Sequence, residues 1–377
     1  MSWAVPLELE EALYVAVRAA LGDAPLATAA LTRAIVDRST RYTSDRAHLS
    51  APPDRTGDLA ARAVFFTVTD AMKIRIPLAE LANRSALPAH RPLRVVDLGA
   101  GCGAMSLGLV TAIDDVGITA IDRDTAALEI GAAAIRALTP RATFTTRTGD
   151  VTKASLPACD LVVMGTVLNE LDETAALAVV ERALGAVTDD GAVIIIEPAL
   201  RTTSRALHAI RDTIITRGTG HVFAPCTRRA VPCTALADPD DWCHEDRSLA
   251  LPPRTAELSR ITHLRDSGMK FSYLVLRRQP LALVDLSSAF PSALPSATPA
   301  AWRIVSAPRV AKGKLELIGC SDRGRFPLRL LKRNRTADNR ELERTDRGEV
   351  VITTEVPDDA RVEVSGAITR IDPSKIR

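Results

Sequence analysis

Three glycines follow an apolar segment in the stretch VVDLGAGCGAMSLGL, residues 95–109. A glycine-rich turn between a strand and a helix lets the backbone approach a ligand closely and directs helix N–H groups toward it. Gly99, Gly101 and Gly103 would form that turn. Because glycines also serve ordinary tight turns, the pattern alone is compatible with a nicotinamide cofactor or with a domain that binds none.

Three carboxylates are expected at the same edge of the sheet and narrow the choice of ligand. Asp97 ends the strand before the glycines, where it would repel a pyrophosphate but attract the ammonium group of a methionine moiety. Asp122 ends the next strand, where an acid can accept both hydroxyls of a ribose. Asp150, in TGDVT, would meet the edge of an adenine. The set favours S-adenosylmethionine over a dinucleotide.

The segments VVDLGAGCG, AIDRD, TGDVT and VVMGTVLNEL follow one another along the chain. In this order they resemble the class I S-adenosylmethionine-dependent methyltransferases, and the resemblance implies a doubly wound α/β sheet. The last segment lacks the Asn- or Asp-Pro-Pro-aromatic element of N-methylating enzymes and offers Asn169, Glu170 and Asp172 instead. These side chains would orient a substrate or cap the next helix. No general base stands out, which methyl transfer tolerates where positioning supplies most of the acceleration.

Three of the six cysteines, Cys226, Cys233 and Cys243, lie within the polar segment PCTRRAVPCTALADPDDWCH. Such a segment buries little apolar surface, so a bound metal would organise it. The C-x6-C-x9-C spacing is wider than that of ordinary zinc knuckles, and thiolates suit both zinc and iron–sulfur clusters, so spacing leaves the metal open. The candidates for a fourth ligand are His221, His244 and Cys320. Cys102 and Cys159 have no basic neighbour in sequence and are expected to be packed, unreactive thiols.

The cysteine segment, the strand KFSYLVLRR and a lone downstream cysteine together resemble a methyltransferase-like family that acts in assembly of the small ribosomal subunit, the bacterial relatives of a mitochondrial small-subunit protein. The resemblance extends to about residue 335. It implies a [4Fe-4S] cluster and the small subunit or its rRNA as partner. The chain departs from the family at Thr227 and Arg228, where a histidine is expected, at Glu245, where an aromatic residue is expected, and in lacking a Trp-Gly-Asp element. The implied cluster ligands are Cys226, Cys233, Cys243 and Cys320.

Charge and composition limit the classes of partner. The formal net charge is only +2, but residues 309–347 contain twelve Lys or Arg against six Asp or Glu. This segment would neutralise RNA phosphates or form a solvated face, and Arg228, Arg229 and Arg247 would extend it. Aromatic residues make up only 3% of the chain, so base stacking would not dominate. No uncharged apolar stretch is long enough to span a membrane, and the cysteine usage suits a cytoplasmic protein.

The elements that must position these residues follow from hydrophobic periodicity. Residues 1–90 predict a helical region with a loop at 39–58, and residues 91–280 predict a methyltransferase domain whose short apolar strands alternate with helices. The cysteine-rich insertion covers 218–250, a Ser-, Ala- and Pro-rich linker covers 281–308, and residues 309–377 form a small basic β domain that contributes Cys320. The pattern does not indicate an oligomeric state.

The sequence therefore predicts an S-adenosylmethionine-binding, iron–sulfur-containing, methyltransferase-like protein that acts on the small ribosomal subunit, with rRNA methyl transfer as its candidate activity. One alternative is a ribosome assembly factor without catalysis. Another is a small-molecule or protein methyltransferase with a structural zinc.

Overall fold

The computed structural model describes residues 3–44, 52–265, 268–286 and 298–375. Most of the predicted linker and the middle of the predicted loop at 39–58 lie outside these residues. The chain divides into two compact units. Unit 1 consists of Met1–Arg75, Ala89–Glu170 and Asp246–Lys270, and unit 2 consists of Ile76–Pro88, Leu171–Glu245 and Phe271–Arg377. The predicted division into segments 1–90, 91–280 and 309–377 stays a prediction.

The helices are numbered in chain order. They are α1 (Leu7–Leu21), α2 (Thr28–Ser44), α3 (Arg55–Ala61), α4 (Val68–Asp70), α5 (Arg75–Asn83), α6 (Ala104–Val110), α7 (Thr125–Leu138), α8 (Glu173–Ala186), α9 (Arg201–Arg217) and α10 (Pro253–Thr262). A π-helical segment, Arg62–Thr67, joins α3 to α4, and a 3-10 segment, Ala71–Ile74, joins α4 to α5. Further 3-10 turns are Ala24–Leu26, Leu168–Glu170, Thr234–Leu236, Lys332–Asn334 and Arg340–Arg344.

The strands follow the same numbering. They are β1 (Trp3–Ala4), β2 (Leu93–Leu98), β3 (Val116–Asp122), β4 (Thr143–Thr148), β5 (Cys159–Gly165), β6 (Val187–Pro198), β7 (His221–Ala224), β8 (Glu245–Arg247), β9 (Leu249–Ala250), β10 (Met269–Arg277), β11 (Ala300–Ile304), β12 (Arg309–Ala311), β13 (Lys314–Ser321), β14 (Gly324–Leu331), β15 (Val350–Thr353), β16 (Val362–Glu363) and β17 (Thr369–Ile371).

Unit 1 contains a parallel sheet of order β4-β3-β2-β5. The buried strands β2 and β5 read as nearly continuous apolar runs, as strands covered on both faces do. The first strand lies inside the sheet, and the next two extend to one side of it. This is the strand order of doubly wound nucleotide-binding folds, so the predicted fold class is confirmed.

The helices of unit 1 begin at identifiable caps. Asp124 caps α7 by accepting a hydrogen bond from the backbone N–H of Ala127 at 3.2 Å, and Asp54 caps α3 in the same way. The loop predicted at 39–58 is partly wrong, because α2 extends to Ser44 and α3 begins at Arg55. Arg41 of α2 donates to Asp58 of α3 at 2.6 Å, so a buried ion pair favours helix in a polar segment that periodicity assigned to a loop.

Unit 2 contains two sheets. In the first, β10 pairs antiparallel with β6 on one side and with β7 on the other. The second has the order β16-β14-β13-β11-β15-β17, with β12 against β13. Residues of β13 alternate between buried and half-buried, and their buried side packs around the fully buried Trp302. Strands β13 to β16 match strands expected for the small β domain, while β11 begins inside the predicted linker.

No helix within the described residues is both long enough and apolar enough to cross a membrane.

Candidate cofactor site and cysteine cavity

The glycine turn lies at the carboxyl end of β2 in unit 1. Gly99, Gly101 and Gly103 have φ angles of 77°, 52° and 82°, a region that L side chains rarely adopt. A Cβ atom on Gly99 would lie 2.4 Å from Cγ2 of Val167, so this position also requires glycine for space. The backbone of the turn is held by the N–H of Gly99, which donates to the carbonyl of Ile121 on the adjacent strand at 2.7 Å.

Asp122 and Asp150 lie beside this turn, as predicted. One carboxylate oxygen of Asp122 accepts the N–H of Gly101 at 2.8 Å, and the other accepts the N–H of Asp124 at 2.8 Å. Gly149 donates to the backbone carbonyl of Asp122 at 2.9 Å, which brings the turn after β4 to the same edge. Asp150 is exposed and accepts from the N–H and hydroxyl of Thr152, and these hydrogen bonds lower its pKa.

Asp97 is the most perturbed acid of this edge. Its Oδ2 accepts from the backbone N–H of Ser106 at 3.1 Å and from the Ser106 hydroxyl at 2.5 Å. Its Oδ1 is buried and has no hydrogen-bond partner among the described residues. Burial raises the pKa of Asp97 to about 7, although the two bonds from Ser106 oppose that rise. A cation placed at Oδ1 would satisfy the oxygen and stabilise the ionised carboxylate.

The loop after β5 packs on the glycine turn. Val167 covers Gly99, and the preceding Thr166 has a φ of 63°, an unusual value for a β-branched residue. Asn169 donates from Nδ2 to the hydroxyl of Tyr42 at 2.9 Å, and Glu170 lies 3.2 Å from the guanidinium of Arg123. The sequence singled out Asn169 and Glu170 but not their partners. Asp172 caps α8 by accepting the N–H of Ala175 at 2.9 Å, which confirms the helix-cap interpretation for this residue.

Arg62 is a residue of this site that sequence reasoning missed. Its guanidinium lies 2.5 Å from the carboxylate of Asp124, the cap of α7, and its Nη2 would be 3.2 Å from a Cβ on Gly101. It therefore packs against the glycine turn from the helical segment. The sequence shows only that Arg62 belongs to a helical pattern. An arginine in an amphipathic helix is usually solvated, so nothing indicated that this one contacts the glycine turn.

Cys102 and Cys159 are both buried, as predicted. Burial raises the pKa of Cys102 to about 11 and that of Cys159 to about 12. Both thiols are therefore protonated at neutral pH and act as small packed side chains.

The four other cysteines come together in unit 2, where they line one cavity of about 50 Å³. Cys226 follows β7, Cys233 caps the 3-10 turn Thr234–Leu236, and Cys320 lies on β13. Of the two histidines considered as a fourth ligand, His244 lines the cavity, whereas His221 is an exposed residue of β7 outside its lining. The structure thus brings together the whole set of cysteines that the sequence proposed.

The thiols are electrostatically coupled. Burial raises the pKa of Cys233 to about 11 and also raises the pKa values of Cys243 and Cys320, and the neighbouring cysteines add to each rise. Arg325 opposes the rise at Cys243 and Cys320. Cys233, Cys243 and Cys320 therefore favour the neutral thiol, and a metal bound to them would have to displace their protons.

Helix α9 organises the cysteine segment through the buried side chains of His208 and Arg211 and the half-buried side chains of Arg205 and Asp212. Arg205 donates to the backbone carbonyls of Ala235, Asp238 and Asp241 at 2.6–2.9 Å, and Arg211 donates to those of Arg228 and Val231. Asp212 accepts the N–H of Cys233, and Nε2 of His208 accepts the N–H of Cys243 at 3.1 Å. Burial lowers the pKa of His208 to about 4, which keeps the ring neutral and able to accept.

The cysteine segment is also bonded to β13. Thr227 donates to the carbonyl of Cys320 at 2.9 Å, and Arg228 donates to the carbonyls of Ser321 and Asp322 at 3.0 Å. Two departures from the family pattern therefore hold the fourth thiol in place. Arg228 keeps its positive charge in these bonds to carbonyls, so the expectation that it extends the basic surface stays a prediction.

Two arginines flank Cys320 on the neighbouring strands. Arg303 of β11 and Arg325 of β14 are its direct cross-strand partners, and both line the cavity. Arg303 is buried between Glu80 and Glu245, at 2.8 Å from each carboxylate. Glu245 thus pairs with a buried arginine where the family pattern predicts an aromatic residue.

No group of three or more His, Cys, Asp or Glu side chains in residues 3–44, 52–265, 268–286 and 298–375 is arranged to hold a metal ion. A tetrahedral zinc site with sulfur at about 2.3 Å from the metal would require sulfur atoms only about 3.8 Å apart.

The order of the parallel sheet, the glycine turn after its first strand and the acid at the end of its second define a methyltransferase-like protein of class I. The family model described as mitochondrial small ribosomal subunit Rsm22 matches residues 63–347, and the chain belongs to this family. The family resemblance noted in the sequence is thereby confirmed. A comparison with curated protein sequences gave no significant match.

Several solved structures of methyltransferases are similar to this chain at low sequence identity. Magnesium protoporphyrin IX methyltransferase from Synechocystis, with bound S-adenosylmethionine, has a TM-score of 0.36 and 14% identity over 65% of this chain and 97% of that chain. Mitomycin 7-O-methyltransferase has a TM-score of 0.33 and 16% identity over 68% and 72% of the two chains. A TehB-like enzyme from Corynebacterium glutamicum has a TM-score of 0.30 and 19% identity over 53% and 88%.

Proposed function

We propose that the chain binds S-adenosylmethionine at the glycine turn and acts as a methyltransferase-like protein of the small ribosomal subunit. The observation that carries the cofactor assignment is the buried, unpartnered Oδ1 of Asp97 at the carboxyl end of β2. A buried carboxylate oxygen without a partner is costly, and an ammonium group would satisfy it. The cofactor's other cationic group, a methyl-bearing sulfonium, would supply the methyl group.

The residues around Asp97 fit the remaining parts of this cofactor. The left-handed backbone of Gly99, Gly101 and Gly103 leaves no side chain over the turn. Asp122 keeps lone pairs free for ribose hydroxyls beyond the two N–H groups it already accepts, and Asp150 stands at the edge where an adenine would lie. The positions of Asp122 and Asp150 at or just after the ends of neighbouring strands, and the hydrogen bonds that their carboxylates accept, support these two assignments.

Calorimetric titration with S-adenosylhomocysteine tests the assignment. We expect Asp97→Asn to weaken binding at least tenfold, because an amide keeps the bonds from Ser106 but loses the charge. Asp114→Asn is the matched control, since Asp114 is an exposed acid at the opposite end of the sheet, before β3. Equal affinities for the wild type and the Asp97 variant would refute the site.

We further propose that Cys226, Cys233, Cys243 and Cys320 hold a [4Fe-4S] cluster. Support comes from their lining one cavity and from Arg325, whose positive charge lowers the pKa values of Cys243 and Cys320 and so favours their thiolates. In a cubane each cysteine binds a different iron, so the thiols need not approach as closely as around one zinc ion. The cluster would supply a fixed link between the cysteine segment and β13.

Anaerobic purification with iron, sulfide and zinc analysis tests this proposal, on the wild type and on a Cys320→Ser variant. About four irons and four sulfides per chain, lost in the variant, are expected. Cys159→Ser is the control, because Cys159 is buried in unit 1, away from the cavity. One zinc per chain and a colourless protein would refute the cluster and support a structural zinc instead.

The partner we propose is the small ribosomal subunit or its rRNA, and the family's description supports the small subunit. The cytoplasmic location that we propose is supported by the cysteine usage alone. In the basic segment, several cations are already paired, such as Arg329 with Glu363 and Arg335 with Glu343. Exposed cations outside these pairs are Arg309, Lys312, Lys332 and Arg333. Cosedimentation with small subunits at rising salt tests the partner, since phosphate contacts predict a steep loss of binding. Binding that is absent at low salt would favour a small-molecule or protein methyltransferase.

Assembly without catalysis is the second candidate, and the state of the acids at the cofactor edge favours it over methyl transfer to a hydroxyl, which would need a base. Glu170 is paired with Arg123, and Asp150 is bonded to Thr152, so neither is set up to remove a proton from an acceptor. Asp97→Asn is expected to weaken cofactor binding. If this variant still supports normal assembly of the small subunit, the protein acts as an assembly factor without catalysis.

A further inference from the structure

Asn169 presents a buried amide oxygen beside the glycine turn. Its Nδ2 donates to the hydroxyl of Tyr42 at 2.9 Å. Its Oδ1 is buried and accepts no hydrogen bond from any described residue. An amide oxygen in this state costs free energy comparable to a lost hydrogen bond, so it is a place where a donor would bind.

The position of Asn169 relates this oxygen to the cofactor. Val167, two residues earlier, packs on Gly99, and Glu170, the next residue, bonds Arg123 beside Asp122. Asn169 therefore lies on a loop that runs along the glycine turn, between the residues proposed to hold the methionine moiety and the ribose. A group bound at its Oδ1 would stand at the same edge as the reacting end of the cofactor.

The chemistry of an amide limits what that group can be. An amide oxygen accepts a hydrogen bond but is too weak a base to take the proton. A hydroxyl acceptor would need a base to become nucleophilic, and the acids nearest in sequence, Glu170 and Asp172, are engaged by Arg123 and by the N–H of Ala175. An amine is nucleophilic while it still carries its N–H groups, so it can donate to Asn169 and attack with its lone pair.

On these grounds we propose that Asn169 positions a nitrogen acceptor by accepting a hydrogen bond from one of its N–H groups at Oδ1, while Nδ2 stays bonded to Tyr42. The proposal rests on the proposed cofactor site. In the transfer a C–N bond forms, the C–S bond of the sulfonium breaks with its electron pair going to sulfur, and the methylated nitrogen releases one proton to water.

A comparison of two cofactor analogues tests this without knowledge of the acceptor. Sinefungin carries an amine where the sulfonium bears its methyl group, whereas S-adenosylhomocysteine has nothing there. We expect the wild type to bind sinefungin roughly tenfold more tightly than S-adenosylhomocysteine, through the bond to Asn169. Asn169→Ala should abolish this preference and leave the affinity for S-adenosylhomocysteine unchanged. Asn169→Asp, which keeps an acceptor, should retain the preference.

Further variants and outcomes distinguish a role of Asn169 at the methyl position from other roles. Tyr42→Phe removes the hydroxyl that is bonded to Nδ2 of Asn169 and should reduce the preference partially. If Asn169→Ala weakens both analogues equally, the residue contacts a part that both share, and the inference is wrong. If the variant changes neither affinity, Asn169 does not face the methyl position, and the inference is also wrong. Failure of the wild type to bind S-adenosylhomocysteine would instead overturn the proposed cofactor site itself, and the inference with it.

Discussion

The two candidate sites of this protein are built by different means. The glycine turn of unit 1 is shaped by backbone hydrogen bonds between neighbouring segments, such as the bond from Gly99 to Ile121, and by left-handed glycines. The cysteine cavity of unit 2 is shaped by side chains that bond backbone carbonyls, chiefly Arg205 and Arg211 of α9. One site depends on backbone conformation and the other on buried charge.

This difference determines how each site can fail. A turn made by backbone conformation is damaged by a single methyl group where a glycine is required but tolerates changes in exposed side chains. A loop held by a buried guanidinium collapses when that guanidinium is removed, because the carbonyls it satisfied are left without a donor. Four variants, taken from the largest expected effect to the smallest, test this comparison.

The largest effect is expected from Arg211→Met. The Arg211 side chain is almost fully buried, pairs with Asp212 and bonds two carbonyls of the cysteine segment. Breaking a buried pair costs about 3–5 kcal/mol, so unit 2 should lose that much stability. Urea unfolding followed by tryptophan fluorescence measures it, since Trp242 and Trp302 both lie in unit 2.

The matched control is Arg217→Met on the same helix. Arg217 is half-exposed and pairs with Glu181 at 3.0 Å, so its loss should cost less than about 1 kcal/mol. Similar losses in the two variants would show that buried charge does not build the cysteine cavity, and the contrast between the sites would fail.

In unit 1 the corresponding variant is Gly99→Ala. The new Cβ would lie 2.4 Å from Val167 in a residue with a φ of 77°, so both strain and overlap oppose it. We expect a loss of about 1–3 kcal/mol in thermal unfolding and a loss of S-adenosylhomocysteine binding. Gly22→Ala has the same strain, with a φ of 79°, but no atom within 4 Å of its Cβ. It should therefore destabilise less and leave binding intact; a Gly99 variant that matched it would show that Val167 simply moves aside.

How far the sequence predicts each site follows from the same contrast. The strand β2, the glycines and Asp97 adjoin one another in the chain, so periodicity and a short motif sufficed to place them. Cys226, Cys233 and Cys243 also share one segment, but Cys320 is far from them in the chain, and only its residue type and the family resemblance linked it to the others. The fold was predictable for the same reason, since apolar runs such as β2 and the alternation of β13 are local signals.

What the sequence could not reveal is which charged residues are buried. Lys and Arg together number 48, and nothing in a helical pattern distinguishes Arg62 or Arg211 from a solvated arginine. The extension of α2 through Arg41 was missed for this reason, because its partner Asp58 lies across a polar loop. Tertiary ion pairs override local propensity where they are buried.

The pH dependence of cofactor binding tests the proposed role of Asp97 in unit 1. With a pKa of about 7 in the free protein, Asp97 is protonated below that pH and must lose its proton to hold an ammonium group. The affinity for S-adenosylhomocysteine should fall about tenfold for each pH unit below 7 and be constant above it. Asp97→Asn should bind weakly at every pH, with no such slope. A wild-type affinity that is constant from pH 5 to 8 would contradict a direct role for Asp97.

The same group has an opposite effect on the stability of the free protein. Its folded pKa is raised above the ordinary value of 3.8, so the folded state retains a proton that the unfolded chain releases. This contribution is fully present below pH 3.8 and is lost as the pH rises through about 7. The free protein should therefore lose stability between these values, whereas Asp97→Asn should lack this part of the dependence in chemical unfolding at each pH.

The smallest effect is expected from Asp172→Ala in unit 2. Its carboxylate accepts the N–H of Ala175 as the cap of α8, and loss of such a cap costs about 1 kcal/mol. Because the carboxylate is engaged at a helix terminus, we expect the sinefungin preference and the metal content to stay unchanged while the melting temperature falls slightly. Asp124→Ala is the informative partner, since Asp124 also caps a helix but pairs with Arg62 against the glycine turn. Asp124→Ala alone should weaken cofactor binding; if both caps behave alike, a helix cap contributes nothing to the cofactor site beyond the stability of its own helix.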